Sequence, residues 1–233
     1  MSDLFDRTLE YDAMLTKGIS LSGETKDYFA LHRVKYLRAS LPENFHPKKI
    51  LDFGCGMGAT TPHLAAAFPD ATIVGVDTAV NAIQFAQKNF AAASKNIHFF
   101  PLSELADLEF FDLCYTNGVF HHIEPHHRTE TGRFIYRILN PGGYFALFEN
   151  NPWNPGTHLV MSRIPFDRDA KMLSIPEAQK LTKESGLGLT GAAHTFFYFP
   201  NILAPLRILE PALKYLPFGA QYCVLGIKPQ VLL

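Results

Sequence analysis

A short apolar run passes directly into a glycine-rich turn in the sequence Ile50-Leu51-Asp52-Phe53-Gly54-Cys55-Gly56-Met57-Gly58. Residues 50–53 have the length and apolar character of a buried strand, and a helical pattern begins near Ala59. Glycine has no Cβ, so the chain can turn sharply and a ligand can approach the backbone. The free N–H groups of the following helix favour an anionic group by about 0.3–1 kcal/mol. The sequence therefore predicts a ligand-binding turn after the first strand.

Strand-like and helix-like segments alternate around this turn. The predicted strands are residues 50–53, 72–76, 97–100, 112–116 and 144–148, and the predicted helices are residues 59–68, 80–90 and 129–139. This alternation is typical of right-handed βαβ units. We predict an α/β fold, a Rossmann-like three-layer sandwich with a mainly parallel seven-stranded sheet. A ligand in such a fold binds beyond the carboxyl ends of the strands.

The two ends of the chain have a different pattern. Residues 1–45 predict an N-terminal helical cap, in which Thr25 caps a helix that Pro42 ends. Residues 46–233 form the predicted main domain, with a lid or insertion at about 151–190. Residues 175–184 predict a helix, and residues 196–199 and 222–227 predict late strands. Residues 202–216 are apolar and helix-like, and core packing, a dimer face and the wall of a hydrophobic site are open alternatives for them.

Composition excludes several classes of protein. Of 233 residues, 47% are hydrophobic and 18% are charged, and the formal net charge is −1. These values are typical of a folded domain and give no long-range attraction to nucleic acid, so we expect no nucleic-acid partner. No run reaches the ~18–20 apolar residues of a transmembrane segment, and the N-terminus has no secretory pattern. We expect a cytoplasmic monomer or homodimer.

Cysteine and histidine spacing gives no signal of a metal centre. Cys55, Cys114 and Cys223 are widely separated and match neither a disulfide framework nor a zinc motif. Histidines occur in the adjacent pairs His121-His122 and His126-His127. Neighbouring residues rarely chelate one ion together, so the sequence predicts no metal site.

Two cofactors compete for the glycine turn. Gly54-x-Gly56-x-x-Ala59 satisfies the dinucleotide fingerprint, which favours a nicotinamide cofactor. Asp52, however, places a carboxylate beneath the turn, where it repels a pyrophosphate and attracts a cationic sulfonium and ammonium compound. Asp77 ends the next predicted strand, and its carboxylate suits the ribose hydroxyls of either cofactor.

These motifs resemble a known family. Asp52-x-Gly54-x-Gly56-x-Gly58 together with Asp77 is similar to the first two motifs of the class I S-adenosylmethionine-dependent methyltransferases. Leu139-Asn140-Pro141-Gly142-Gly143-Tyr144 resembles the turn into the fifth strand of that family. The resemblance covers residues 49–150 and implies S-adenosyl-L-methionine as cofactor, with the glycine turn holding the methionine moiety and Asp77 the ribose. The end of the fourth strand would lie beside the methyl group.

The resemblance implies a set of cofactor-binding residues. The family uses an acid after its third strand to read adenine, and Ser103 stands at that position here. The expected cofactor-binding residues are Tyr28, Arg33, Asp52, Gly54, Cys55, Gly56, Gly58, Asp77, Thr78, Ser103, Asn117, Gly118 and Val119.

The acceptor side of the site is less specific. Residues 116–122 resemble the corresponding stretch of quinone-biosynthesis methyltransferases and not the motif of base-methylating enzymes. This resemblance implies a small-molecule acceptor, and hydrophobic, lipid-linked and sugar-linked compounds are all candidates. A hydroxyl or amine acceptor must lose a proton, and His121 is the first candidate base and His122 the second. Glu149 is a third candidate for acceptor binding or proton removal.

Further segments resemble a subgroup of bacterial class I enzymes. These are residues 22–24, 28–30, 149–155 and 165–170, which would form a lid over the acceptor. Two other functions stay open at this point. One is a nicotinamide-dinucleotide-dependent oxidoreductase, and the other is a non-catalytic cofactor-binding module.

Overall fold

A computed structural model describes residues 14, 16–91, 94–105, 110–164, 167 and 170–230 of the chain. Residues 1–13 of the expected cap and residues 165, 166, 168 and 169 of the expected lid lie outside the described residues. The strands are β1 (Lys49–Phe53), β2 (Thr72–Asp77), β3 (Ile97–Pro101), β4 (Phe111–Asn117), β5 (Leu139–Asn150), β6 (Gly188–Leu189), β7 (His194–Phe196) and β8 (Gln221–Ile227). The α-helices are α1 (Lys26–Ser40), α2 (Thr61–Ala67), α3 (Val80–Phe90), α4 (Pro125–Ile138), α5 (Pro155–Ser162), α6 (Ile175–Glu184) and α7 (Glu210–Leu213).

The strands form one mainly parallel sheet, which confirms the predicted α/β fold. Its order is β3-β2-β1-β4-β5-β8-β6, and β7 also pairs with β8. The first five strands run parallel, whereas β8 runs antiparallel to β5. The sheet has eight strands instead of the expected seven because β6 and β7 pair with opposite ends of β8. Residues 190–193, which hold no strand, separate these two short pieces of one sheet edge.

Alternation along β1 divides the core into two layers. Ile50 packs on one face of the sheet with Leu37 of α1 and Leu64 of α2, and all three are fully buried. Leu51 points to the other face, where it joins the cluster that includes Ile135 of α4. Each such side chain contributes roughly 1.5–3 kcal/mol on burial. Helices therefore cover both faces and fix the positions of the strand ends.

The start of the described helical cap matches its prediction. Thr25 caps α1 by accepting a hydrogen bond from the Tyr28 N–H at 3.2 Å, and Asp27 lies in the first turn. The helix ends at Ser40, two residues before Pro42. Val34 and Leu37 of this helix pack with Ile50 in one core cluster, and Arg33 donates to the Tyr115 hydroxyl of β4.

Some boundaries differ from their predictions for local reasons. α4 begins at Pro125 instead of residue 129, because proline is well suited to the first helical turn. β5 begins at Leu139 instead of residue 144, with a register irregularity opposite Phe111/Leu113. There, the Gly142 N–H donates to the Lys228 carbonyl at 2.9 Å and extends the pairing with the last strand.

The late segments differ more. α6 matches its prediction, and Ser174 and Glu177 form a capping box. β7, however, ends at Phe196, so most of the strand expected at residues 196–199 is wrong. Residues 202–216 are not core: a 3₁₀ helix at Asn201–Leu209 and the short α7 leave Ile202 and Ile208 more than 80% exposed. Among the described helices, none combines the length and apolar character needed to cross a bilayer.

Candidate active site

The glycine turn has the geometry that its sequence predicts. The N–H groups of Gly54 and Cys55 both donate to the Val76 carbonyl, at 2.8 and 3.0 Å. Gly54 has a φ of 73°, and a Cβ there would lie 2.3 Å from the Val119 Cγ2. Gly56 has a φ of 53°, and a Cβ there would meet nothing within 4 Å. Gly54 is therefore required by conformation and packing, and Gly56 faces open space.

The neighbours of these glycines have different surroundings. Gly58 packs against the Phe99 ring, which a Cβ would approach to 2.9 Å, and Gly58 does not line the cavity described below. Cys55 does line that cavity, and burial raises the pKa of its thiol well above its usual value. Cys55 is therefore an uncharged thiol in the wall of the site.

Asp77 closes the glycine turn from the next strand. Its carboxylate accepts hydrogen bonds from the Gly56 N–H at 2.8 Å and from the Ala79 N–H at 2.9 Å. The side chain is half-buried at the end of β2 and is not part of the wall of the cavity described below. Asp77 thus fixes the conformation of the glycine turn, and its side chain stays partly exposed at the protein surface.

Asp52 is a buried carboxylate within the cavity wall. It is 2% exposed and accepts a hydrogen bond from the Thr61 hydroxyl at 2.7 Å. Burial raises the pKa of this carboxyl group to about 7, against the opposing effect of the Thr61 hydrogen bond; the charge of Asp77 raises it further, and Arg33 lowers it. A cation placed in the cavity would favour the ionised form.

Arg33, one of the expected cofactor-binding residues, is buried on the sheet side of α1. Its Nε donates to the Tyr115 hydroxyl and its Nη1 to the Gln221 Oε1, both at 3.1 Å, and it lines the cavity. Tyr28, expected beside it, packs on His32 with ring centroids 4.2 Å apart and does not line the cavity. The geometry therefore brings Arg33, and not Tyr28, to the site.

A cavity of about 570 Å³ lies over the strand ends, within the range of roughly 300–1,000 Å³ that small-molecule sites occupy. The sheet side of its wall includes Asp52, Gly54, Cys55, Gly56, Tyr115, Asn117, Gly118, Asn150 and Gln221. The opposite side includes Phe29, Ala30 and Arg33 of α1, Leu159, Val160 and Met161 of α5, and Phe197, Tyr198, Phe199 and Pro200 after β7. One wall is therefore largely polar backbone and carboxylate, and the other is largely apolar.

An asparagine turn holds α5 in this lid. Asn154 caps α5 by accepting a hydrogen bond from the Thr157 N–H at 2.9 Å. The Asn151 amide donates to the carbonyls of Pro217 and Gly219 at 2.7 and 2.8 Å. These bonds tie the turn before α5 to the segment before β8.

The residues after β4 present polar atoms to the cavity. The Asn117 Oδ1 is buried and has no hydrogen-bond partner among the described residues. Gly118 has a φ of 68° and donates its N–H to the Phe148 carbonyl at 3.0 Å. Val119 lies over Gly54 and does not line the cavity. Asn117 thus offers an unpaired group to a bound ligand.

His121 and Glu149 form a buried ion pair. The His121 Nδ1 lies 2.6 Å from the Glu149 Oε2, and the other oxygen of Glu149 accepts the Phe120 N–H at 2.7 Å. Glu149 is fully buried and does not line the cavity. Both carboxylate oxygens are therefore engaged beneath the site, and the expected role of Glu149 toward the acceptor stays a prediction.

The pKa values of the two histidines shift in opposite directions. Burial lowers the pKa of His121, but Glu149 and Asp167 outweigh burial and raise this pKa to about 10. Burial raises the pKa of Glu149, but His121 outweighs it and keeps this pKa below its usual range. Burial and the charge of His121 lower the pKa of His122 to about 4. The two carboxylates therefore favour the charged form of His121, whereas the surroundings of His122 favour its neutral form.

Two expected residues lie at the outer surface. Thr78 follows β2 and Ser103 lies in the 3₁₀ helix Leu102–Glu104, and both are exposed and outside the cavity. The cavity also contains residues that the sequence did not indicate as site residues, such as Asn150, Tyr198 and Asp167. The resemblance of residues 165–170 to a family segment was the one signal that pointed near Asp167.

Comparison with known proteins agrees with this geometry. Residues 51–145, which include the glycine turn, Asp77 and the end of β4, match the family model of a methyltransferase domain. This match agrees with the resemblance of the same residues to the class I S-adenosylmethionine-dependent methyltransferases. The match begins at β1 and reaches into β5, so it covers the strands whose carboxyl ends form the sheet side of the cavity.

Curated methyltransferases are similar to this part of the chain. A trans-aconitate 2-methyltransferase of Methylobacterium nodulans is 30% identical over 51% of this chain and 44% of its own length. An uncharacterised methyltransferase of Synechocystis sp. is 31% identical over 52% of this chain and 61% of its own length. The chain thus spans about half the length of the curated relatives that it matches.

Solved structures share the fold over nearly the whole chain. The Haloferax volcanii complex of the Trm112 methyltransferase activator with a methyltransferase matches with a TM-score of 0.67 and 20% identity, covering 95% of this chain and 98% of the other. The plantazolicin methyltransferase BpumL, solved with a substrate analogue and SAH, matches with a TM-score of 0.63 and 16% identity over 96% and 98%. At these identities the likeness shows the α/β fold.

Proposed function

We propose that this chain transfers the methyl group of S-adenosylmethionine to a small-molecule acceptor. The observation that carries the proposal is the single cavity of about 570 Å³ that joins the glycine turn to an apolar lid. Methyl transfer is an in-line displacement, so a donor and an acceptor must be held about 3–3.5 Å apart and shielded from water. The polar wall can position the donor, and the apolar wall that faces it can exclude water from the acceptor.

The charges of the cavity favour the methionine end of this cofactor. Asp52 supports the positive sulfonium and ammonium groups, and Arg33 supports the carboxylate across the cavity. Gly54 and Gly56 admit the cofactor close to the backbone, and Asn117 offers its unpaired amide oxygen as a hydrogen-bond acceptor. The rest of the bound cofactor would extend out of the cavity past Asp77. Its ribose would contact that carboxylate, and its adenine would lie near the exposed Thr78 and Ser103.

The lid supports a small acceptor with an apolar part. The side chains of Phe29, Val160 and Phe197 face the cavity from three different segments. We assign residues 1–45 to a cap, with α1 closing the cofactor end, and residues 151–190 to a lid whose helix α5 closes the acceptor end. The trans-aconitate methyltransferases among the relatives are consistent with a small acceptor, and lipid-linked and sugar-linked compounds also fit this description.

Two further properties belong to this proposal. The three cysteines are free, which suits a reducing compartment such as the cytoplasm. The described surface leaves Ile202 and Ile208 open to solvent, so both a monomer and a homodimer are compatible with the fold. The formal net charge of −1 favours neither nucleic acid nor another polyanion as acceptor.

Thermal shift measurements separate this function from a dinucleotide-dependent oxidoreductase. S-adenosylhomocysteine should raise the melting temperature, because it binds the native state. NADH should not, because the buried Asp52 repels a pyrophosphate at the turn. Stabilisation by NADH without stabilisation by S-adenosylhomocysteine would reverse the assignment.

A labelling experiment tests the transfer itself. The protein is incubated with S-adenosylmethionine carrying a tritiated methyl group and with cell extract separated into small-molecule, protein and nucleic-acid fractions. Label should enter the small-molecule fraction and should be absent when Gly54→Ala replaces the parent protein. Label confined to protein or nucleic acid would contradict the acceptor class. Cofactor binding without label in any fraction would favour a non-catalytic binding module.

A further inference from the structure

Three side chains after β4 and α5 converge on one point of the cavity. The His121 Nε2 lies 3.7 Å and the His122 Nε2 3.4 Å from the same oxygen of Asp167. One ligand atom from each residue lies within 4.8 Å of the other two. Zinc bonds to nitrogen and oxygen are about 2.0–2.2 Å, which puts tetrahedral ligands about 3.3–3.5 Å apart. Small shifts of the side chains would bring them to a common ion.

The buried Glu149 gives this cluster the support that metal-binding histidines require. A histidine that ligates a metal commonly donates its other ring N–H to a carboxylate, which fixes the ring and its tautomer. The His121 Nδ1 makes this bond to Glu149 at 2.6 Å, so its Nε2 is turned to the cavity side. The Phe120 N–H in turn holds Glu149 at 2.7 Å. The ring of His121 is therefore fixed before any ion binds.

The formal charges suit a dication. The carboxylates of Glu149 and Asp167 lie on opposite sides of the His121 ring. Among the described residues, the cationic partners within ion-pair distance of Asp167 are the two histidines. With both imidazoles acting as neutral ligands, one divalent ion would balance the two carboxylates. All three converging side chains line the cavity, so an ion there would keep coordination positions open to a ligand.

We propose that His121, His122 and Asp167 bind a divalent first-row transition metal ion whose open positions take an oxygen atom of the methyl acceptor. Two imidazoles and one carboxylate are the donors of catalytic zinc sites and of non-haem iron sites. The role in acceptor binding rests on the proposed methyl transfer, whereas the metal site itself does not.

The metal would provide a way to deprotonate the acceptor hydroxyl, which the histidines by themselves do not. With the His121 Nδ1 bonded to Glu149 and its Nε2 occupied by the ion, an acceptor hydroxyl needs another way to lose its proton. A bound metal lowers the pKa of a coordinated hydroxyl group, and the released proton passes to solvent. The oxygen then forms a bond to the methyl carbon as the carbon–sulfur bond breaks, and the bonding pair neutralises the sulfonium to give S-adenosylhomocysteine.

The sequence predicted no metal site because adjacent histidines rarely share an ion. The 3₁₀ turn Phe120–His122 overcomes this restriction: it places the two rings 4.2 Å apart and tilted by 53°. Both Nε2 atoms then approach Asp167, which is distant in sequence.

Cobalt binding tests the site without an assay of activity. Full-length protein is treated with a chelator, freed of the chelator and titrated with CoCl₂ while visible absorption is recorded. One equivalent of Co²⁺ should bind with the ligand-field bands of a four- or five-coordinate site, and Zn²⁺, Fe²⁺ and Mn²⁺ in competition identify the preferred ion. His122→Ala and Asp167→Asn, chosen because His121 is buried, should each weaken Co²⁺ binding by about 100-fold or more. Their melting temperatures verify that they fold.

The exposed pair His126-His127 provides the matched control. His126→Ala/His127→Ala removes two adjacent surface histidines and should leave the cobalt bands and affinity unchanged. Absence of the bands in the parent protein, or their persistence in His122→Ala and Asp167→Asn, would overturn the metal site. S-adenosylhomocysteine binding by the metal-free protein is measured in parallel. If the metal-free protein does not bind S-adenosylhomocysteine, the proposed function is wrong. The cobalt titration alone then decides whether the metal site exists.

Discussion

The glycine turn at residues 52–58 and the apolar stretch at residues 197–216 lie at opposite walls of one cavity, but their sequences specify structure in different ways. At the turn, the backbone allows few alternatives: Gly54 requires positive φ, and its N–H pairs with the Val76 carbonyl. In the apolar stretch, residues 197–200 line the cavity, while Ile202 and Ile208 are exposed. The same apolar composition therefore has opposite outcomes within a dozen residues.

Polar contacts decide the course of that second region. Arg207 donates to the Phe199 carbonyl at 2.9 Å and to the Glu24 carboxylate at 2.6 Å. The Asn201 amide donates to the Gly23 carbonyl at 2.6 Å. These bonds tie the stretch to the residues just before α1. The comparison teaches that a turn constrained by φ can be predicted from its own residues, whereas a segment held by distant polar groups cannot.

The largest expected effect comes from Gly54→Ala. A non-glycine residue at positive φ costs about 1–3 kcal/mol, and the new Cβ would meet the Val119 Cγ2 at 2.3 Å. The free energy of unfolding should fall by at least that amount, and calorimetry should detect no S-adenosylmethionine binding. Gly142→Ala is the control, because Gly142 has a φ of 79° but lies in the β5 irregularity, against the flexible Gln230 side chain. Gly142→Ala should lose stability and keep its affinity for the cofactor. An unchanged affinity in Gly54→Ala would contradict the conclusion that the cofactor site depends on the conformation of this turn.

Asp77→Ala should have the next largest effect. The substitution removes acceptors for the Gly56 and Ala79 N–H groups and, in our proposal, for the ribose. The affinity for S-adenosylmethionine should fall by about 5- to 150-fold, equivalent to about 1–3 kcal/mol. The exposed Asp70→Ala should bind like the parent protein in the same calorimetric titration. Unchanged affinity in Asp77→Ala would show that the ribose lies elsewhere.

The third effect is a pH dependence that arises from Asp52. The fold raises the pKa of the Asp52 carboxyl group from 3.8 to about 7 and so favours its neutral form. The contribution of this group to the free energy of unfolding therefore falls as pH rises from about 4 to 7. A cationic cofactor favours the ionised form, so its affinity should rise by about tenfold between pH 6 and pH 8. Asp52→Asn should show a flat profile in this range. A falling or flat profile in the parent protein would contradict the role of Asp52.

The smallest effect is expected at Ile208, in the exposed part of the apolar stretch. Ile208 is 83% exposed, so Ile208→Ser should change the free energy of unfolding by less than about 0.5 kcal/mol and leave cofactor affinity unchanged. Leu37→Ser, on the buried face of α1, should destabilise the protein severely in the same denaturation series. A large loss in Ile208→Ser would show that this surface is buried in solution, for instance between two copies of the chain.

Local patterns predicted most of the fold. The alternation of apolar runs with helical stripes led to β1, β2, α3 and α6 within a residue or two, because each is specified by contacts within its own segment. The division of one sheet edge into β6 and β7 could not be predicted. These pieces hold only two and three residues, and their pairing with β8 is set by the register of distant strands.

The candidate site was predicted unevenly for the same reason. Asp52, Gly54 and Gly56 follow from one turn, and all three line the cavity. The raised pKa of His121 depends on Glu149 and Asp167, which are distant in sequence, so sequence alone could not predict this shift. Helical position likewise gave no sign that Arg33 would be buried against Tyr115.

A crystal structure of the protein soaked with S-adenosylhomocysteine tests the central claim most directly. We expect density for the ligand with its amino-acid part between Gly54 and Arg33, its ribose on Asp77 and its sulfur facing the lid. A cavity that remains empty at saturating ligand, or that instead admits a dinucleotide with its pyrophosphate over Asp52, would contradict the account.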